Sequence, residues 1–152
     1  MFAMRAQAII LAFICALTAS AQVQIRIPSQ RYKSHDTINV EIANTSAGDL
    51  SFCVEYGYVS YIDDNRSEAT PTPVYVQQKR ENGWDTLLTG PDVGSIRQSI
   101  TLRRGESQTY PFRVNAHGEV RMVLDYWIGA PVGSCENPKG RRTAKSHAFQ
   151  IE

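Results

Sequence analysis

The stretch Val120-Arg121-Met122-Val123-Leu124-Asp125-Tyr126-Trp127-Ile128 decides the fold. Read with period two, it places Val120, Met122, Leu124, Tyr126 and Ile128 on one face and Arg121, Asp125 and Trp127 on the other. A helix would scatter those apolar residues around its axis, whereas a strand lines them up against a core. The same alternation recurs upstream. Ile38, Val40 and Ile42 share a face opposite Asn39 and Glu41, and Asn44-Thr45-Ser46-Ala47-Gly48-Asp49 supplies a reversal after them. Leu50, Phe52, Val54, Tyr56 and Tyr58 line one face of the next strand, which extends toward Ile62 with Gly57 as a candidate bulge.

Further along, Val74 to Gln78 and Trp84 to Leu88 flank Asn82-Gly83, a pair whose tolerance of positive φ suits a type I′ hairpin turn. Ile96, Gln98, Ile100 and Leu102 alternate up to a turn at Arg103-Arg104-Gly105-Glu106, after which Tyr110, Phe112 and Val114 mark another strand. Val23 to Ile27 opens the set and Ala148 to Ile151 closes it, with Phe149 and Ile151 inward. The polar run from Asp63 to Pro73 ends in Thr70-Pro71-Thr72-Pro73 and reads as a surface connection. Short strands at turn spacing, with no helical period after residue 21, predict an all-β sandwich.

Residues 1–21 read as an export signal. Arg5 gives the positive start, Ala8 to Leu17 the apolar stretch, and Ala19-Ser20-Ala21 an A-x-A cleavage site, so the mature domain is expected to begin at Gln22. The apolar run is too short for a spanning helix, which excludes a membrane anchor from the expectation. Cys15 follows Phe13-Ile14 rather than the small residue of a lipoprotein signal, and it leaves with the signal. Residues 22–152 then make one domain, periplasmic or secreted. The whole chain has 16 Lys and Arg against 15 Asp and Glu, and Arg5 is the one charge inside the signal, so the mature domain is charge-balanced. Binding to nucleic acid or to an anionic membrane would need a positive field instead. Cys53 and Cys135 remain, and in an exported domain a bridge between them is the default.

Four segments carry a family likeness: Ile38 to Ser46, Asn82-Gly83-Trp84, Leu102 to Ser107, and Gly118-Glu119-Val120-Arg121. Together they resemble bacterial secreted immunoglobulin-like β-sandwich domains, and are distantly similar to the intracellular proteinase inhibitor family. The resemblance implies about eight antiparallel strands in two sheets. It also implies that the strand from Leu50 is strand C and the strand from Val120 is strand F, antiparallel neighbours. Cys53 and Cys135 then meet at one end of the sandwich, unlike the antibody bridge between strands B and F. The chain departs from the pattern at Val120, where such late strands often carry Tyr, and in its export signal, which an intracellular inhibitor lacks.

Chemistry-bearing residues are sparse. His35, His117 and His147 sit at predicted turns or strand edges, and no two share the i, i+2 or i, i+4 spacing of a metal pair, so no catalytic residue, metal or cofactor is expected. Asp63, Asn65 and Ser67 alternate as calcium ligands do, but Glu68 and Val74 stand where such a loop needs Gly and a bidentate Glu. Two surfaces stand out. The long Gly129 to Ser146 connection carries Lys139, Arg141, Arg142 and Lys145 against Glu136; it either receives an acidic partner or is simply solvated. On the outer face of its strand, Trp127 lies with Arg121 and Asp125, near Glu55, Val59 and Tyr61 of the neighbouring strand. Exposed Trp and Tyr beside Arg are contact hot spots, unless the long loop covers them.

The sequence thus predicts a non-catalytic exported domain that binds a protein or cell-envelope component through Trp127, Arg121, Asp125, Tyr61, Lys139, Arg141 and Arg142. An exported inhibitor of a protease or other hydrolase is the alternative. In a eukaryotic secretory route, Asn44-Thr45-Ser46 and Asn65-Arg66-Ser67 would be glycosylation acceptors. The intact mass of the exported protein should correspond to residues 22–152, and a mass that retains Met1 to Ala21 would refute the cleavage site.

Overall fold

The computed structural model describes residues 22–60, 67–87, 96–129, 135 and 137–152. Within them the chain forms strands and no helix. In order these are β1 (Val23–Arg26), β2 (Arg31–Tyr32), β3 (Thr37–Asn44), β4 (Leu50–Ser60), β5 (Ser67–Thr72), β6 (Tyr75–Arg80), β7 (Gly83–Leu87), β8 (Ile96–Leu102), β9 (Ser107–Arg113), β10 (Gly118–Ile128), β11 (Arg142–Lys145) and β12 (Phe149–Ile151).

The alternating apolar residues sort these strands into two sheets around one core. A small sheet runs β1-β3-β9, all antiparallel. The larger sheet has the spine β2-β12-β10-β4-β5, with β11 and β6 also on β10, β7 on β6 and β8 on β4. Ile38, Val40 and Ile42 of β3, with Tyr110 and Phe112 of β9, share the core with Leu50, Phe52 and Val54 of β4 and Val120, Met122 and Leu124 of β10. Phe52 and Tyr110 meet edge to face across the two sheets, with ring centroids 6.2 Å apart. Each such side chain taken from water contributes about 1.5–3 kcal/mol, which is why the alternation sets which face of every strand points inward. Two rows stop short of expectation. Ile128 is 42% exposed and Ile96 is 70% exposed, so the inward rows end at Tyr126 and at Ile100.

Several turn and strand expectations change, among them the Gly129 to Ser146 connection, within which Arg142–Lys145 form strand β11 on the edge of β10. Arg80 pairs with Gly83, so the hairpin loop is Glu81-Asn82; positive φ falls on Gly83 at 133° and not on Asn82, which rules out the type I′ turn. Register between β4 and β5 runs unbroken from Glu55↔Thr72 to Ser60↔Ser67, so Gly57 makes no bulge there. The Thr70-Pro71-Thr72 run, expected as a connection, is part of strand β5. Pro71 cannot donate to a ladder, and β5 tolerates it because, among the described residues, it pairs with β4 alone and stands at the edge of the sheet.

The chain crosses from the large sheet to the small one at Arg103 to Glu106, and a buried side chain organises that corner. Asn44 is 1% exposed. Its amide donates to the carbonyls of Gly48 at 2.8 Å and Leu102 at 2.9 Å, and its Oδ1 accepts from the Ser46 backbone N–H and hydroxyl. The Asn44 backbone exchanges bonds with the same corner, its N–H donating to Glu106 and its carbonyl accepting from Gly105. Gly105 takes a φ of 78°, a left-handed geometry that glycine adopts without a Cβ clash.

Strands β4 and β10 are antiparallel neighbours, with Leu50 opposite Ile128 and Phe52 opposite Tyr126. Cys53 follows the last residue of β4 that pairs with β10, and Cys135 lies beyond the end of β10. They form a disulfide with Cα atoms 5.8 Å apart, across 82 residues of sequence. Closing a loop of that length restricts the unfolded chain by about 4 kcal/mol on the entropy model. The double variant Cys53→Ser, Cys135→Ser should therefore lose up to about 4 kcal/mol in urea unfolding. An unchanged midpoint would show that the bridge adds nothing to stability.

Tyr110 supplies a pH test. Its hydroxyl is buried with no hydrogen-bond partner, and burial, with a smaller effect of Tyr56, pushes its pKa up to about 12 from an ordinary 10.0. The unfolded chain releases this proton earlier, so the contribution to stability is complete below pH 10 and is lost as pH rises from 10 toward about 12. Tyr110→Phe should melt higher than wild type at pH 11 and no lower at pH 7, since it also removes an unsatisfied buried hydroxyl. A lower melting temperature at both pH values would mean that the hydroxyl is stabilising.

Candidate functional site

The cavity of interest arises from a conflict over one edge of β10. Along that edge Val120 to Val123 pair with β6, from Gln78 to Tyr75, and Tyr126 to Ile128 pair with β4, from Phe52 to Leu50. Between the two ladders, Leu124 and Asp125 have strand partners on the β11 side, Ala144 and Thr143, and none on this one. Past Phe52, β4 swings away and takes β5 as its neighbour from Glu55 onward. Thr72, Pro73 and Val74 carry the chain from β5 directly into β6. The sheet therefore forks, and over the fork sits a half-open cavity of about 370 Å³.

Its walls combine apolar and charged groups. The Cys53–Cys135 disulfide, Trp127, Pro73 and Tyr75 line it, together with two ion pairs. On the β4 side Arg97 of β8 lies 3.6 Å from Glu55, and on the β10 side Arg141 lies 3.8 Å from Asp125. The second Asp125 oxygen accepts from the Thr143 hydroxyl at 3.0 Å, a bond that the β10–β11 register sets. Pairs this exposed add little to stability, roughly 0–1 kcal/mol each. Burial, followed by the Asp125 charge, raises the Tyr75 hydroxyl above its ordinary range, with Arg141 and Arg121 acting the other way.

The expected contact residues divide. Trp127, Asp125 and Arg141 come together at the cavity, and Glu55 joins them from β4. Arg121 sits apart, stacked 4.1 Å over the Trp84 ring with its Nε donating to Gln77 at 2.9 Å. Lys139 and Arg142 are exposed, and Arg142 turns the other way to donate to Gln22 at the start of β1. The basic loop is thus no single patch, because successive residues entering a strand point to opposite faces. Tyr61, with Asp63 and Asn65, lies outside the described residues. His35, His117 and His147 are all exposed, and no group of three metal-ligating residues converges among the described residues. Sequence reading passed over Arg97, Pro73 and Tyr75. Arg97 could have been found from period two, since it alternates with Ile96 and Gln98 and must face the side away from the Leu102 row.

Trp127 corrects the expectation of an exposed anchor. Its side chain is absent from the core cluster, on the outer face as period two requires, yet it is only 7% exposed. Gly140, in the loop after Cys135, packs over it: a Cβ at Gly140 would lie 4.0 Å from Trp127 Cδ1. The indole Nε1 is buried without a hydrogen-bond partner among the described residues.

No family model matches the chain, and no curated protein matches it. Among solved structures, the sporulation control protein Spo0M from Bacillus subtilis is similar at 13% identity with a TM-score of 0.36. The match covers 86% of this chain and 49% of that one, so the chain spans about half the length of that protein. A likeness at this TM-score decides nothing about fold family or function.

Because Trp127 is covered, Trp127→Ala should cost about 3–5 kcal/mol of stability, against well under 1 for a solvated side chain. Urea unfolding measures it, and a loss below about 1 kcal/mol would return Trp127 to the exposed surface.

Proposed function

We propose that residues 22–152 are an exported, non-catalytic immunoglobulin-like sandwich that binds a protein or cell-envelope component at the cavity over the fork. The observation that carries this reading is the cavity's position. It is the place where an open concave site, a disulfide, aromatic side chains and two ion pairs coincide on one face of the large sheet. Sites of this kind combine apolar walls with a few placed polar groups, and volumes of roughly 300–1,000 Å³ are typical of them. The A-x-A motif at Ala19-Ser20-Ala21 and the bridge between the two remaining cysteines support export, since disulfides persist in oxidising compartments. Two antiparallel-paired central strands, β4 and β10, over a single core support the immunoglobulin-like arrangement.

Site-specific photocrosslinking tests the location. A photoreactive residue at Thr86, on the cavity rim, should capture a defined product in the native envelope, whereas one at Thr109 on the small sheet should not. Equal capture at both positions, or capture at Thr109 alone, would overturn the assignment. Slowed proteolysis on mixing the protein with a hydrolase would instead favour an inhibitor.

A further inference from the structure

The two guanidiniums at the cavity are underused. Arg97 and Arg141 approach carboxylates at 3.6 and 3.8 Å, beyond the range of about 2.7–2.9 Å at which a charge-assisted N–H···O bond closes. Neither guanidinium makes a hydrogen bond to any described residue. Their side chains are 51% and 48% exposed, and both line the open site. The paired carboxylates are less exposed, Glu55 at 27% and Asp125 at 33%. Among the described residues the cavity is thus lined by two cations and two anions, each sign on both walls.

That balance selects among ligands. An occupant of one sign would meet the charges of one kind and only desolvate those of the other, which is costly in a partly closed site. A saccharide would want an open ring face, but Trp127 is covered and the Trp84 ring already carries Arg121. A ligand with one carboxylate and one ammonium meets all four groups. Arginine forks suit a carboxylate in particular because they can bind it bidentately.

We propose that this cavity binds a small zwitterion, a free amino acid or a short peptide with both ends unblocked. Its carboxylate lies between Arg97 and Arg141 and its ammonium beside Asp125 and Glu55. Tyr75 lines the same cavity. The proposal rests on the cavity being the binding site and names what it takes.

The test is an NMR titration of the exported protein, labelled with nitrogen-15, using trialanine, its N-acetyl form, its C-terminal amide and the doubly blocked peptide. Trialanine should shift the signals of Arg97, Asp125 and Arg141. Blocking either end should weaken binding at least tenfold. Arg97→Gln and Arg141→Gln should each weaken it by a similar factor with the melting temperature nearly unchanged, because the ion pairs they break are exposed. Equal binding of the N-acetyl form would make this an anion site, and equal binding of the amide a cation site; either overturns the proposal. So does the absence of shifts at tens of millimolar trialanine. Crosslinking from Thr86 would still occur in those cases if the cavity is a contact site for a larger partner, so the two readings fail separately.

Discussion

One edge of β10 must serve two strands, and most of the large sheet follows from that constraint. The eleven residues of β10 are shared along this edge between β4 and β6, and each takes a short ladder of three or four residues. Neither strand can extend without displacing the other, so the sheet opens between them at Leu124 and Asp125. Beyond the fork β4 takes β5 on the edge that β10 leaves, while β6 carries β7 on its opposite edge. The disulfide closes the fork where it begins, one residue past the last β4–β10 pair. A concave site with charged walls is the geometric remainder of this competition for backbone hydrogen bonds.

Polar groups in the interior follow two opposite rules. Asn44 has four side-chain bonds in its corner and ties the turn after β3 to the turn before β9. Tyr110 and Trp127 bury a hydroxyl and an indole N–H with no partner. A satisfied buried group is close to neutral or mildly stabilising, whereas each orphan costs roughly 1–3 kcal/mol. Large rings offset that cost through the apolar area they remove from water. Trp127 does so beneath a loop, outside the central core, so its burial depends on the disulfide-tied segment staying in place.

What the sequence made legible was the inward rows. Ile38 to Ile42, Leu50 to Val54 and Val120 to Tyr126 are buried as alternation required, because burial of one face is a local property of a strand. Strands without an apolar row were invisible: β5 is Ser-Glu-Ala-Thr-Pro-Thr and β11 is Arg-Thr-Ala-Lys, and both exist because β4 and β10 offer them an edge. Candidate residues were legible only by face. Period two put Trp127, Asp125 and Arg121 on the outer side, but cover from Gly140 and the partnering of Arg97 with Glu55 come from segments distant in sequence. Nothing in the spacing of single residues encodes where a sheet will fork.

Asn44 also carries a consequence for how the protein can be produced. Its Asn-Thr-Ser sequence is an oligosaccharide acceptor, and in eukaryotic cells the sugar is attached while the chain is still emerging and unfolded. The side-chain nitrogen that would carry the glycan is the one that donates to Gly48 and Leu102 in the folded corner. A glycan there is incompatible with that corner, so secretion from yeast or insect cells would divide the product into a folded, unmodified fraction and a modified fraction unable to close the two sheets. Bacterial export, or removal of the acceptor through Ser46→Ala, avoids the division. Ser46 itself bonds to Asn44 and Gly48, so the second route gives up two hydrogen bonds in the same corner.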